Sequence, residues 1–266
     1  MPSFPTTSLL ISTYNSPSAL ELSLLSINEQ SVLPSEVIIA DDGSTEETAQ
    51  LIIKYMQLLP MPLIHVWHED KGFRKTIVMN KSIAKATGDY IIQIDGDIVM
   101  HSSFISDHIS NAEPRGFIVG SRVLLSRSRS EFLKETKEMK LNMLKSGVSN
   151  RLNALRLSFL QRFFFNHRSE NHFYGKGCNM SYWRKHFMEI NGYNEEYVGW
   201  GLEDTDLIAR FMQLGLNKKT VKFGAIAYHL YHKFSSRGEF DENKKRLLKV
   251  IRRGDMYAAR GVDQYL

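Results

Sequence analysis

The stretch Tyr90-Ile91-Ile92-Gln93-Ile94-Asp95-Gly96-Asp97 constrains this chain more than any other. An apolar run rich in isoleucine reads as a buried strand. It ends in two carboxylates with one glycine between them. The interior of a buried strand cannot hold bare carboxylates, because an unpaired charge away from water is costly. Asp95 and Asp97 are therefore expected at the strand's carboxyl end, facing a crevice. Two acidic oxygen donors there suit a hard divalent cation, Mg2+ or Mn2+, with diphosphate oxygens as its other ligands. The bland alternative is a turn, for which Asp-Gly is common chemistry. The surrounding chain decides between the two.

Upstream, strands and helices alternate. Ser8 to Asn15 reads as a strand with a polar tip, and Ser16-Pro17 offers an N-cap with proline at the first helical position. Ser18 with Glu21 is a capping-box alternative. Leu20, Leu24 and Ile27 follow at helical spacing. Val37 to Ala40 reads as a second buried strand, ending in Asp41-Asp42-Gly43-Ser44-Thr45. A helix over Glu46 to Leu59 is stopped by Pro60, and Leu63 to Trp67 is a third strand. The charged loop His68 to Arg74 holds Gly72, and a helix then runs to about Ala86. This alternation predicts crossover connections and a mostly parallel sheet. In such sheets ligands bind outside the carboxyl ends of the strands. Ser12–Asn15, Asp41–Ser44, Gly72–Arg74 and Asp95–Asp97 all fall at that edge, which reads as a nucleotide-binding half.

Downstream, a short helix is expected around Ser103–Ser110 and a strand over Phe117–Arg122. From Arg127 to Arg168 the chain has ten Lys or Arg against three Glu, a local +7 in a protein whose formal charge is +5. Ser130–Lys145 reads as one helix. Leu152, Leu155, Leu157 and Leu160 with Arg151, Arg156 and Arg162 read as an amphipathic basic helix running into Phe163-Phe164-Phe165. The bland reading is a solvated helical hairpin; the functional one is contact with an anionic membrane or an anionic lipid-linked acceptor. Nucleic acid is not expected: the sequence shows no recognisable module, and the pI near 9.1 arises from this patch. A glycine-hinged strand is expected over Gly175–Trp183. Glu203, Asp204 and Asp206 follow Gly199-Trp200-Gly201 at a helix start, where one acid would satisfy the helix dipole. A late strand, Ala225–His232, brings His229 and His232, and the tail over Asp241–Arg253 is a basic helix.

Composition is that of an ordinary globular protein, 42% apolar and 24% charged. One cysteine, Cys178, excludes an intramolecular disulfide and disfavours a cysteine metal site. Met1–Thr7 lacks a signal peptide's basic region, and no apolar run approaches the roughly 18 residues of a spanning helix. A cytoplasmic protein is expected, peripheral on the inner membrane's cytoplasmic face if the basic segment binds lipid.

Ser12-Thr13-Tyr14-Asn15, Asp41-Asp42-Gly43-Ser44, Lys71-Gly72-Phe73-Arg74 with Asn80, and Asp95-Gly96-Asp97 stand in an order that resembles the family 2 glycosyltransferases. Gly199-Trp200-Gly201-Leu202-Glu203-Asp204-Thr205-Asp206 is similar to a signature of bacterial chondroitin-type polymerases and β-1,4-galactosyltransferases. The resemblance covers about Ser8 to His232. It implies the GT-A, Rossmann-like fold: a mostly parallel mixed sheet flanked by helices, with a basic helical insertion. It implies one domain over 1–266: a nucleotide-binding half (1–100), an acceptor and metal half (101–240) with the insertion at about 127–168, and a C-terminal helix (241–266).

The resemblance also implies roles. Ser12 and Tyr14 line the base pocket, and Asp42 accepts a hydrogen bond from uracil, with Asp41 instead orienting the turn. Gly72, Arg74, Asp95 and Gly96 meet the nucleotide sugar, with Asn80 buttressing the Gly72 loop. Asp97 binds Mn2+ or Mg2+ with His229, or His232 as second choice. Asp204 is the general base of an inverting reaction, Glu203 holds sugar hydroxyls, and Trp200 stacks on the acceptor ring. Relatives often carry Gly-Gly where this chain has Gly201-Leu202. The reaction implied is sugar transfer from a UDP-linked donor to a saccharide or lipid-linked acceptor in bacterial surface polysaccharide synthesis. Two competing readings are a nucleotidyltransferase, which predicts a glycine-rich triphosphate loop in place of Ser-Thr-Tyr-Asn, and a non-enzymatic binding member, which predicts loss of Asp97, Asp204 or the late histidine.

Overall fold

The computed structural model describes residues 5–139, 141–161, 163–166, 169–233 and 238–266. Its strands are β1 (Thr7–Thr13), β2 (Glu36–Asp41), β3 (Leu63–Trp67), β4 (Tyr90–Asp95), β5 (Ile98–Met100), β6 (Gly116–Gly120), β7 (Arg122–Leu125), β8 (Val148–Ser149), β9 (Asn179–Trp183), β10 (Asn217–Val221) and β11 (Ala227–His229). Its helices are α1 (Pro17–Asn28), α2 (Glu46–Leu58), α3 (Lys75–Lys85), α4 (Phe104–Ser110), α5 (Arg127–Thr136), α6 (Ser158–Gln161), α7 (Arg184–Glu189), α8 (Glu203–Gln213) and α9 (Phe240–Arg253).

Seven strands form the main sheet in the order β10-β6-β9-β4-β1-β2-β3. All its pairings are parallel except those of β9, which runs antiparallel between β4 and β6. Every residue of β2 is buried, as are those of β4 up to Asp95. Alternating side chains feed opposite faces. Leu9, Ile11, Ile39 and Ile92 pack with Leu20, Leu24 and Ile27 of α1 and Ile52 of α2. Leu10, Ile38 and Ile91 pack with Val78 and Ile83 of α3 and Leu207 and Phe211 of α8. This three-layer arrangement is the GT-A fold class expected from the sequence.

Register brings the strand ends together. Ser12 lies opposite Asp95 on one side and Ala40 on the other, and Thr13 opposite Asp41. A smaller sheet, β5-β11-β7-β8, continues from the edge. There the expected strand over Phe117–Arg122 breaks at Ser121, and its halves join different sheets. The late strand is shorter than expected, Ala227–His229, because Phe223 and Ala225 take positive φ just before it.

The basic segment differs most from its expected form. The helix predicted over Ser130–Lys145 is α5, which ends at Thr136 because Lys137 takes the left-handed conformation (φ 55°) as its C-cap. The second predicted helix is a 3-10 turn, Arg151–Ala154, and the single turn α6, separated by an extended Leu155. Tertiary bonds override the helical pattern. Arg156 Nη2 lies 2.8 Å from Asp107 Oδ1, and the Leu157 amide donates to the Phe223 carbonyl at 3.0 Å. Lys140, Arg162 and Arg168 of this segment lie outside the described residues. After α9 the chain turns at Gly254 and closes on a 3-10 turn, Val262–Tyr265.

Asp206 does not join Glu203 and Asp204 at the crevice. Its carboxylate is fully buried beneath α8, 2.7 Å from Arg210 Nη2, and accepts from the Tyr197 hydroxyl at 3.1 Å. Arg210 also donates to the carbonyls of Ile190 and Gly192 at 3.1 and 2.7 Å. Removing one partner strands the other charge. Asp206→Asn or Arg210→Met should each lower stability by about 3–5 kcal/mol in urea unfolding. The double substitution should cost less than their sum, as coupling predicts.

Candidate functional site

Three loops at the carboxyl edge pack into one wall. The Tyr14 hydroxyl donates to Asp70 Oδ2 at 2.8 Å, and the Gly72 amide donates to Asp70 Oδ1 at 2.9 Å. Gly43, at φ 96°, has no room for a Cβ because the Asp70 backbone would lie 2.6 Å from it. Tyr14 stays half exposed. Asp41 is buried and orients its own turn: it accepts from the Ser44 amide at 2.8 Å and from His65 at 2.9 Å. Burial alone would raise the Asp41 pKa, but those two hydrogen bonds prevail and lower it. Asp42 accepts from His68 Nε2 at 2.6 Å and from the Arg74 amide at 2.9 Å.

The Gly72 loop bonds to itself, and Asn80 does something other than expected. The Arg74 guanidinium donates to the Glu69 carbonyl within the same loop. Asn80 does not buttress the Gly72 loop. It is wholly buried, and its amide nitrogen donates to the Tyr193 carbonyl and Glu195 Oε1 at 2.9 and 3.0 Å. It ties α3 to the chain that leads into α8, and no surface is left for a ligand.

β4 delivers Asp95 and Asp97 at its carboxyl end. Asp95 Oδ1 accepts from Ser12 Oγ and from Lys75 Nζ, both at 2.8 Å. Gly96 packs on the same strand end, its amide donating to the Ser12 carbonyl at 2.7 Å. Asp97 comes close to the end of β11 because the Leu230 amide donates to its carbonyl at 2.9 Å. Asp97 Oδ2 lies 3.6 Å from His229 Nε2 and 3.3 Å from His232 Nε2.

One potential ligand atom from each of Asp97, His229 and His232 falls within 4.8 Å of the others. The residues fit a divalent cation on three counts. Asp97 Oδ1 is buried and has no hydrogen-bond partner. Burial and the Asp95 charge push the Asp97 carboxyl up to about 7, so the pocket lacks the positive charge this acid calls for. Burial and the Arg122 charge press His229 down to about 4, leaving it the neutral imidazole a metal needs. The Lys233 carbonyl, 2.8 Å from His232 Nδ1, can only accept. Nδ1 therefore carries a hydrogen, and Nε2 is the ring atom that faces Asp97.

Opposite the triad stands the start of α8. Asp204 is held on both oxygens: Oδ1 accepts from the Tyr193 hydroxyl at 2.9 Å, and Oδ2 from the Gly177 amide at 3.0 Å. A Cβ on Gly177 would collide with this carboxylate. Tyr193 is itself fixed by Gln93 Nε2 at 2.8 Å. Glu203 is buried and accepts from the Gly201 amide at 3.1 Å. Trp200 stacks on Phe240 of α9, ring centroids 6.3 Å apart.

Sequence reading missed three contributors. Lys75 carries the clearest signal: a cation on the first turn of a helix opposes the dipole. Tyr193 and Asn243 carry none, since their roles come from tertiary contact. Asn243 Nδ2 donates to the carbonyls of Val198 and Gly201, both at 3.1 Å, and so clamps both sides of the Trp200 turn.

The chain matches the model of glycosyl transferase family 2 over residues 8–190 and that of the N-terminal domain of galactosyltransferase over residues 158–233. It is 25% identical to the chondroitin synthase of Escherichia coli over 237 residues, 84% of this chain and 34% of that protein. It is 25% identical to the hyaluronan synthase of Pasteurella multocida over 243 residues, 84% of this chain and 24% of that one. The chain thus spans about a third and a quarter of these relatives. Among solved structures it resembles the mannosyltransferase PcManGT from Pyrobaculum calidifontis in complex with GDP-Man and Mn2+. The TM-score is 0.62 at 18% identity, covering 94% of this chain and 65% of that one.

Burial and the Asp204 charge push the Glu203 carboxyl from 4.5 up to about 7. The folded chain therefore keeps a proton that the unfolded chain releases. This contribution to stability is fully present below about pH 4.5 and is lost as pH rises through about 7. Glu203→Gln removes the titration. Urea unfolding of the ligand-free protein should show the variant more stable than wild type by about 1–3 kcal/mol at pH 8, with the gain gone near pH 4.5.

Proposed function

The chain belongs to glycosyl transferase family 2, and on that premise we propose that it is an inverting, divalent-metal-dependent transferase that moves a sugar from a UDP-linked donor to a saccharide or lipid-linked acceptor. The observation that carries the reading is the Asp97, His229 and His232 cluster at the carboxyl end of β4, with Asp97 Oδ1 buried and unpartnered. A divalent cation held by those three, Mn2+ or Mg2+, would offset charge on the departing diphosphate. The Mn2+ and GDP-Man named with the mannosyltransferase support a metal and a nucleotide sugar here. The names of the two synthases support a saccharide acceptor and a role in bacterial surface polysaccharide synthesis.

The rest is done by side chains. Tyr14, Ser12 and Asp42 line the nucleoside side, with Gly72, Arg74, Asp95 and Gly96 toward the diphosphate and sugar. Asp204 takes the proton of the acceptor hydroxyl, whose oxygen attacks C1 of the sugar in line. The bond from C1 to the diphosphate oxygen breaks, the pair leaves with the nucleotide, and the anomeric centre inverts. Glu203 holds sugar hydroxyls, and Trp200 offers its face to the C–H face of the acceptor ring. Residues 1–100 supply the nucleotide half and 101–240 the acceptor and metal half.

We assign the basic segment to the surface of an anionic membrane, with the protein on the cytoplasmic face. Leu144, Leu152, Phe159 and Phe163 are each at least 67% exposed, amid the exposed cations Arg127, Lys145, Arg151 and Arg156. A second copy of this +7 segment would be repelled, whereas anionic headgroups would be drawn to it. No helix among the described residues is long and apolar enough to cross a membrane.

Purified protein with Mn2+ should release UDP slowly from one member of a panel of UDP-sugars. Asp97→Ala should lower that rate by about 100-fold or more, and calorimetry should show metal-dependent UDP binding lost with it. A flat panel together with absent UDP binding would sink the reading. For the membrane, the protein should float with phosphatidylglycerol vesicles at low salt and not with phosphatidylcholine vesicles. Leu152→Ser with Phe159→Ser should weaken flotation, and protein left at the bottom of the gradient while anionic vesicles float would remove the assignment.

A further inference from the structure

Asp95, Asp97, Glu203 and Asp204 crowd into one crevice, and a single ammonium reaches between two of them. Lys75 Nζ lies 2.8 Å from Asp95 Oδ1 and 3.9 Å from Asp204 Oδ2. Its side chain is only 12% exposed. Two costs attach to that position. The amine is desolvated, and it stands on the first residue of α3, against the positive end of the helix dipole. Stability is a weak reason for such a placement, since buried ion pairs can often be replaced by apolar groups at little loss. Chemistry is a stronger one.

We infer that Lys75 is a positioning residue for the transfer reaction: its ammonium keeps the Asp204 carboxylate ionised and aimed, ready to accept a proton. The inference rests on Asp204 being the general base proposed above. The groups that face Asp204 define what Lys75 must counter. Glu203 comes from the same helix start, Asp95 from β4 shares the ammonium, and Cys178, Tyr182 of β9 and Tyr193 surround it. Burial and neighbouring carboxylates both favour the protonated acid. The Tyr193 hydroxyl and the Gly177 amide orient Asp204 but bring no charge. Hydrogen bonds of that kind favour a carboxylate, as they do at Asp41, and the Lys75 ammonium 3.9 Å away adds a full positive charge beside them. Lys75 can do so because it stays charged: burial works against its proton, but the Asp204, Asp95 and Glu203 charges prevail and hold the amine well above its ordinary range.

The test reads protonation directly. In protein labelled with 13C at the aspartate carboxyl, Asp204→Asn assigns the Asp204 signal. In Lys75→Met its titration midpoint should move to higher pH by about one unit or more, a tenfold loss of ionised base per unit. Lys75→Arg, which keeps the charge, should hold the wild-type midpoint. A midpoint in folded Lys75→Met within roughly 0.3 unit of wild type would overturn the inference. Should Lys75→Met not fold, the wild-type background carries the test. The Lys75 15Nζ signal should shift on Asp204→Asn, and an unmoved signal would overturn the coupling. The pH dependence of kcat/KM then separates the two ideas. If the midpoint moves but Asp204→Asn still turns over the UDP-sugar, the base assignment fails while the Lys75 contact stands. If Asp204→Asn is dead and the acid limb in Lys75→Met is unmoved, the Lys75 inference alone fails.

Discussion

A strand buried on both faces cannot hold an unpaired carboxylate in its interior, and that constraint organises the ends of β1, β2 and β4. The central residues of β1, β2 and β4 are apolar apart from Gln93 and are packed on both faces, and each strand turns polar at its carboxyl end. Register then does the assembly. Ser12 meets Asp95 because β1 and β4 are neighbours, and Asp41 closes its own turn beside them. The antiparallel β9 gives way upstream to Gly177, whose amide fixes Asp204, while β5 and β11 bring Asp97 against His229. Asp97 and His229, more than a hundred positions apart, become neighbours through backbone pairing.

Charge balance is the second constraint. Four carboxylates in a poorly solvated crevice repel one another, and the chain meets this in three ways. Lys75 bonds Asp95 and approaches Asp204. His229 and His232 face Asp97. Glu203, which bonds neither, is pushed up to about 7 beside Asp204, as Asp97 is beside Asp95. The crevice is left short of positive charge on the Asp97 side, the feature that a bound cation would complete.

The strands were legible because their apolar runs are continuous and their ends carry Asp, Gly and Ser. Helices α1, α2 and α3 were legible from periodicity, and the acids at the edge from the cost of burying them. What failed to show did so for identifiable reasons. The second basic helix was read from spacing, but Arg156 and Leu157 find better partners in Asp107 and Phe223. Asn80 sits in a recognisable loop pattern yet spends its amide on Tyr193 and Glu195. Asn243 and Tyr193 act across sequence distances that no local pattern encodes, whereas Lys75 shows itself only as a cation on the first turn of α3. Leu202 is a further case. It takes φ 74°, a left-handed conformation that favours glycine, in a turn that α9 clamps through Asn243. The chain tolerates a leucine where glycine would be unstrained, consistent with a turn held by packing from α9 rather than by its own backbone freedom.

The proposed metal centre is the cluster of Asp97, His229 and His232 where β5 pairs with β11. Anomalous diffraction at the manganese edge, from crystals grown with UDP and Mn2+, tests it most directly. The account predicts one peak within bonding distance of the Asp97 carboxylate and of at least one nitrogen of His229 and His232. A peak held by Glu203 or Asp204 instead, or nucleotide density with no peak at all, would contradict it.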